Sequence, residues 1–305
     1  MLTIETVPYR GWKNNIRLAN GQVELIVTQE VGPRIIRFGF IGQENILGEF
    51  SEQLGGCGEK EWLIRGGHRL WLAPEEKPKT YELDNLPVAI RKITAGGIRV
   101  VQPPGKLAQV EKTLEIALAE RRNQVTIRHH LTNRGRKPIT LAPWALTVMA
   151  RCGTAIIPLP EKIPHTARLT SNQNWTLWGY TDFSDPRWTF LSRYLLFRHD
   201  PKRGPNKLGI AHREGWVAYW LKGTLFVKWF AFKEGVTYPD QGVNFETFAN
   251  ERILELESLG PLVALRHGQT TTHTETWALH RAVPECRNET AIEKYVHPCA
   301  AHFRR

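Results

Sequence analysis

A chain of 305 residues with 41% apolar content can bury an ordinary core in one large domain or two medium ones. Its 25 glycines and 19 prolines lie near average usage, which excludes collagen-like and low-complexity classes. The formal charge of +11 permits anionic partners without demonstrating one, and the basic clusters (Arg121-Arg122, Arg134 to Lys137, Lys202-Arg203) fall in predicted turns with no nucleic-acid-binding signature.

No apolar run reaches the ~18 residues of a membrane helix; the best, Ile139 to Ala150, ends at Arg151. The first fifteen residues lack the basic-then-apolar pattern of a leader, so a cytoplasmic location with no membrane partner is expected. Cys57, Cys152, Cys286 and Cys299 form no CxxC pair and read as free thiols; neither a disulfide framework nor a metal site is expected, and no cofactor.

Taken in chain order, the hydrophobic period is 2 almost throughout. Asn20-Gly21 separates Ile16–Leu18 from Val23–Val27, and Gly96-Gly97 separates Ile90–Ile93 from Ile98–Val101. Alternation from Val110 to Leu118, a polar turn at Glu120 to Asn123, and renewed alternation from Val125 to Leu131 predict another hairpin. Lys222-Gly223 joins two more β-prone runs, Trp216–Leu221 and Leu225–Phe232. Only Asn288 to Val296 carries a helical turn or two. Many short strands joined by hairpins predict an all-β, mostly antiparallel sandwich or barrel. Nothing marks an interior linker. Residues 158–205 hold six prolines but also three tryptophans, and predict an ordered long-loop region over the sandwich. One domain is therefore expected over residues 1–305, with residues 288–305 as a C-terminal tail.

Four places could carry chemistry. Trp175, Trp178, Tyr180 and Trp188 lie among loop-forming residues that include Asp182; indole faces beside carboxylates suit a sugar, and core capping is the alternative. In Gly66-Gly67-His68-Arg69-Leu70-Trp71, followed by Glu75, strand geometry turns His68 and Leu70 one way and Arg69 and Trp71 the other. Arg69 can fork onto hydroxyls or a carboxylate; an Arg69–Glu75 ion pair with His68 hydrogen-bonded in the core is the other reading. Tyr238 to Glu246 contributes Asp240, Asn244 and Glu246. Beyond it, Glu255 and Glu257 share a face opposite Leu254 and Leu256, roughly 7 Å apart, where a buried carboxylate could serve as a general base. His129 reads as a core histidine. His273 and Glu275 share a face, but a metal there would need a third ligand that the sequence does not identify. GxSxG, Walker and GxGxxG motifs are absent.

The stretches GGHRLWLAPE (66–75), LAPWALTVMARCGTAIIPLP (141–160), YTDFSDPRW (180–188) and YPDQGVNFETFANERILELESLGPLVAL (238–265) resemble an uncharacterised bacterial family of the galactose mutarotase-like superfamily. The resemblance implies an antiparallel β-supersandwich whose concave sheet binds a monosaccharide or sugar chain. In the aldose 1-epimerases of that superfamily it implies metal-free acid–base catalysis as well. Leu256-Glu257-Ser258-Leu259 is similar to the strand that carries the epimerase base, which makes Glu257 the base candidate. His68-Arg69-Leu70 is similar to an Asn-Arg-Ile-type motif, which makes Arg69 a substrate donor. The epimerase acid histidine has no counterpart in Ala142-Pro143-Trp144-Ala145-Leu146. Either another group such as His68 serves as acid, or the chain only binds sugar. The expected contacts are Arg69, Glu75, Trp178, Asp182, Asp240, Asn244 and Glu246, with an anionic sugar as a further option suggested by the charge. No oligomeric state is legible.

Overall fold

The computed structural model describes residues 1–93 and 96–301. The last four positions of the expected tail lie outside them.

Among the described residues the strands, numbered along the chain, form two antiparallel sheets of eleven and ten strands. The first runs in the order β1 (Thr3–Tyr9), β2 (Trp12–Ala19), β3 (Val23–Thr28), β4 (Ile35–Phe40), β5 (His68–Ala73), β10 (Ile139–Met149), β19 (Leu254–Leu259), β18 (Phe245–Ala249), β15 (Asn206–Ile210) and β12 (Trp175–Leu177); β20 (Val263–Leu265) also pairs with β10. The second runs β13 (Trp188–Phe190), β14 (Tyr194–Arg198), β11 (Thr154–Pro158), β16 (Trp216–Leu221), β17 (Thr224–Phe230), β21 (Thr270–His280), β9 (Gln124–Asn133), β8 (Val110–Leu118), β7 (Gly97–Gln102) and β6 (Ala89–Ile93). The predicted hairpins at residues 20–21, 120–123 and 222–223 join β2 to β3, β8 to β9 and β16 to β17. After β5 the chain crosses to the second sheet for β6 to β9, then returns as β10 against β5. That return makes β10 the central strand of the site.

Residues 158–205 differ from the expectation of a long loop. They hold β12, β13 and β14, which extend the edges of both sheets. Two of these strands have only three residues, too few for alternation to register among prolines and turn residues. Trp188 belongs to the core there, stacked on Phe197 with 3.6 Å between centroids, and Trp175 stacks on Phe190. At the chain's end the expected helix covers Glu289–Tyr295, capped by the Asn288 side chain, and a short helix over His297–Ala301 follows.

The sheets face each other across one large apolar cluster. Leu18, Val23, Leu25 and Phe38 of the first meet Ile98, Leu114, Ile127, Phe226 and Trp277 of the second, all buried. Each such side chain contributes about 1.5–3 kcal/mol when withdrawn from water. Gly66 and Gly67 adopt positive φ (97° and 68°), and a Cβ on either would collide with the carbonyls of Gly48 and Ile35. This close approach brings β5 beside β4 in the same sheet.

A polar seam crosses the apolar interior. His129 Nδ1 faces the His273 carbonyl at 3.1 Å, so it carries the proton and Nε2 accepts. His68 Nε2–H donates to that atom at 2.7 Å, and His68 Nδ1 accepts from the Thr147 hydroxyl at 2.9 Å. His273 Nε2–H donates to Ser258 Oγ at 2.6 Å, which donates to Glu275 Oε1 at 2.5 Å. Glu275 also pairs with Lys228 Nζ at 2.7 Å and accepts from Trp277 Nε1 at 2.8 Å. One tautomer set satisfies the whole chain of bonds. Burial, reinforced by neighbouring positive charge, pushes His68 well below its ordinary value of 6.5; burial chiefly drives His129 and His273 down to about 3.

The unfolded chain binds protons on these histidines near 6.5, while the native seam resists them until about pH 3. Between those values the unfolded state holds more protons, so stability falls as pH falls. Urea unfolding measured across that window is expected to show a declining midpoint, with unfolding taking up as many as about three protons. A midpoint independent of pH would contradict the neutral seam.

Candidate functional site

The period of β5, β10 and β19 separates two chemistries. Leu70, Leu254 and Leu256 point into the inter-sheet core, with His68 and Ser258 in the seam on the same side. The intervening residues form the opposite face. There Trp71 lies across from Trp144, Arg69 and Glu257 flank Leu146, and Glu246 lies across from Glu257. β15 adds Lys207 beside Phe248.

This face floors a cavity of about 250 Å³ lined by Arg69, Trp71, Trp144, Leu146, Lys207, Phe248, Glu255 and Glu257. Loops supply its walls: Trp62 and Ile64 before β5, Glu75 and Tyr81 after it, and Tyr180 from the β12–β13 connection. Trp62, Trp71 and Tyr81 form a three-ring cluster with centroids 4.8–5.6 Å apart, and Trp71 meets Trp144 edge-on at 5.6 Å. The Arg69 guanidinium lies 4.5 Å from the Trp71 centroid and pairs with Glu255 at 2.9 Å. The alternative ion pair of Arg69 with Glu75 is not formed; Glu75 accepts from the Tyr81 hydroxyl instead.

Glu257 is 1% exposed, and its Oε2 accepts from Trp144 Nε1 at 2.9 Å and from Lys207 Nζ at 3.3 Å. Lys207 also reaches Glu246 Oε2 at 2.6 Å, and the indoles of Trp178 and Trp144 lie 4.6 and 5.0 Å from its ammonium. Two buried carboxyls thus share one cation. Burial pushes both carboxyls above the ordinary carboxylate range, Glu246 furthest, while Lys207 opposes the shift. Both carboxyls are thus harder to ionise than in water, and the single ammonium between them favours their charged forms. The two carboxylates drive Lys207 upward against its own burial, so the ammonium stays charged.

Of the residues expected at a site, the structure brings Glu257, Arg69 and Glu75 to the cavity and sets Glu246 and Trp178 beside Lys207. The other four do not line it. His68 belongs to the inter-sheet seam on the far side of β5, its ring nitrogens held by Thr147 and His129, and so cannot serve as the acid of this cavity. Asn244 clamps the backbone of His212, accepting at 2.6 Å and donating at 3.1 Å. Asp182 accepts from Ser184 in a local turn. Asp240 lies in the tight turn before β18, where its carbonyl accepts from Thr176. Trp62, Tyr81, Trp144 and Lys207 were missed. Lys207 had a signal: a lysine inside a short apolar strand, Asn206–Ile210, must find a partner when buried.

Among the described residues, one cluster has metal-type donors: His68, His129 and Glu275, with donor atoms within 4.8 Å of one another. The fit is poor. Lys228 already supplies Glu275 with its counter-charge, and the two imidazole Nε2 atoms hydrogen-bond each other. No helix among the described residues is long and apolar enough to cross a membrane.

The two-sheet antiparallel sandwich defines a class of architecture, and solved structures share it. The chain superposes on a galactose mutarotase-like protein from Lactobacillus casei ATCC 334 with a TM-score of 0.60 at 9% identity, covering 88% of this chain and 100% of that one. The Slr1438 protein of Synechocystis sp. PCC 6803 gives 0.59 at 12% identity, covering 92% and 100%. A galactose mutarotase related enzyme from Lactobacillus acidophilus gives 0.52 at 11% identity, covering 90% and 99%. The fold is galactose mutarotase-like. No protein-family model and no curated protein sequence matches the chain.

Removing the shared cation tests the charge arrangement. Lys207→Met leaves Glu246 and Glu257 facing each other with no ammonium between them. It is expected to cost about 3–5 kcal/mol, the usual loss when one member of a buried ion pair is deleted. Lys207→Arg should recover part of it. Urea unfolding of the two variants measures both, and a Lys207→Met protein as stable as wild type would refute the shared-cation arrangement.

Proposed function

We propose that the cavity binds one neutral monosaccharide unit, with the Trp71, Trp144 and Tyr81 rings against the pyranose C–H faces and Glu257 accepting from its hydroxyls. The supporting observation is the combination of edge-packed aromatic rings and buried ionic groups on one small concave floor. Aromatic walls with a few fixed polar groups are what an orienting small-molecule site requires. A volume of about 250 Å³ lies below the ~300–1,000 Å³ typical of drug-sized ligands, which favours a single ring over a chain inside it. Three lining carboxylates (Glu75, Glu255, Glu257) against two cations (Arg69, Lys207) disfavour an anionic unit at this position. Arg69 already pairs with Glu255, which disfavours a ligand carboxylate as its partner and leaves the expected donation to a hydroxyl.

Binding is the first reading, and mutarotation with Glu257 as base is the second. The upward shift of Glu257 favours the second, since a base works best with a pKa near the working pH. Against it stands the lack of a matched acid among the lining groups. Burial holds the protons of Tyr81 and Tyr180 more tightly than usual, and the neighbouring carboxylates do the same for Lys207.

Tryptophan emission titrated with hexoses is expected to saturate, and Trp71→Ala should weaken binding by about tenfold or more, the loss of one well-packed aromatic contact. Polarimetry on fresh α-anomers separates the two readings. Acceleration that disappears in Glu257→Gln establishes the second; saturable binding without acceleration establishes the first. A hexose panel that neither binds nor mutarotates would remove both.

A further inference from the structure

The face of β10 does not end at the cavity. Beyond Trp144 and Leu146, the next residues with the same orientation, Val148 and Ala150, line a second hollow of about 600 Å³. Two residues along a strand span roughly 7 Å, so the two floors adjoin. Between them stands an apolar ridge of Phe50, Val148 and Ile253, packed against Ile64 and Phe248. Ile64 and Phe248 line the first hollow, Phe50 and Val148 the second. The two hollows share a wall.

Their chemistry differs. The second hollow is lined by Arg10, Arg37, Arg151 and Arg252, against the carboxylates Glu44 and Glu49. Both carboxylates are already neutralised, Glu49 by Arg10 at 3.1 Å and Glu44 by Lys222, which lies outside the lining, at 2.9 Å. Arg37 is tied to Glu24, and Arg252 lies on the Phe50 ring while pairing with Glu52. Arg151 donates from Nε to the Arg252 carbonyl at 3.1 Å and forms no ion pair among the described residues. Its two terminal nitrogens thus offer a planar fork of the kind that matches carboxylate and phosphate oxygens.

We propose that this hollow is a second subsite, which receives an anionic group (carboxylate, sulfate or phosphate ester) carried by a saccharide whose neutral unit occupies the aromatic cavity. The inference rests on the saccharide reading above and assigns the ligand to the class of acidic oligosaccharides. It also gives part of the +11 charge a local purpose, since Arg151, with Arg252 beside it, meets the anion across the Phe50 ridge.

The test titrates the full chain with di- to tetrasaccharides of the gluco, galacto and manno series, each neutral oligomer beside its uronate-bearing counterpart. Sulfated and phosphorylated versions identify the preferred anion, and inorganic phosphate serves as a bare-anion control. At low salt an acidic trimer is expected to bind about tenfold more tightly than its neutral match, and salt should erode that preference. Arg151→Gln combined with Arg252→Gln should abolish the preference while leaving neutral-sugar affinity intact; both side chains are exposed, so the fold is not at stake. Neutral oligomers that bind with no gain from an acidic group would overturn the second subsite and leave the saccharide reading standing. A preference that survives the double variant would also overturn it. A panel in which nothing binds would overturn both.

Discussion

The two-residue period of β5, β10 and β19 is the constraint on which the molecule depends. Each strand serves two environments at once. Leu70, Leu254 and Leu256 complete the apolar interior, while Arg69, Glu255 and Glu257, one position away on the same strands, build the ionic floor. A one-residue slip of any of them would place carboxylates among leucines, so the register of the site is enforced by the cost of burying an unpaired charge. The core and the cavity are two faces of one set of pairings. This is how segments nearly two hundred residues apart, around Arg69 and Glu255, come within hydrogen-bond distance.

The ionic floor is costly to hold. Arg69, Lys207, Glu246, Glu255 and Glu257 are all at most 5% exposed, and each has lost most of its hydration. Attraction between partners offsets that loss only where geometry is good and every proton and lone pair finds use. Arg69 finds Glu255 and the face of Trp71; Lys207 finds two carboxyls and two indoles. The indoles take part in the electrostatics, since Trp144 contributes both an N–H to Glu257 and a ring face near Lys207. The inter-sheet seam solves a related problem differently. It buries three neutral imidazoles in defined tautomers and confines its formal charge to the Lys228–Glu275 pair.

Much of the fold was legible because β-hairpin chemistry is local. Asn20-Gly21 and Lys222-Gly223 announce their turns, and the alternation in residues 110–131 identifies both strands and their facing sides. The separation of Arg69 from His68, and of Glu257 from Leu256, likewise follows from strand geometry alone. What alternation cannot reveal is which face of a strand becomes the hollow. His68 and Arg69 were equal candidates until the pairing of β5 with β10 assigned one to the seam and the other to the cavity. Trp62, Tyr81 and Lys207 escaped notice for a different reason: each is an unremarkable residue until a distant strand or loop arrives beside it. Asn244 and Asp182 suffered the reverse error, because polar residues in turns often satisfy backbone groups, as both do here.

The division of labour between strands and loops bears on how such a protein could change its ligand. Floor residues are bound to the interior through their neighbours, so drift there would threaten folding before it altered recognition. Trp62, Glu75, Tyr81 and Tyr180 stand on connecting segments, outside the strand alternation that ties the floor to the interior. New tastes would therefore arise at the lip of the bowl, while its base stays as it is. A library built to redirect this scaffold should place its diversity on those four positions.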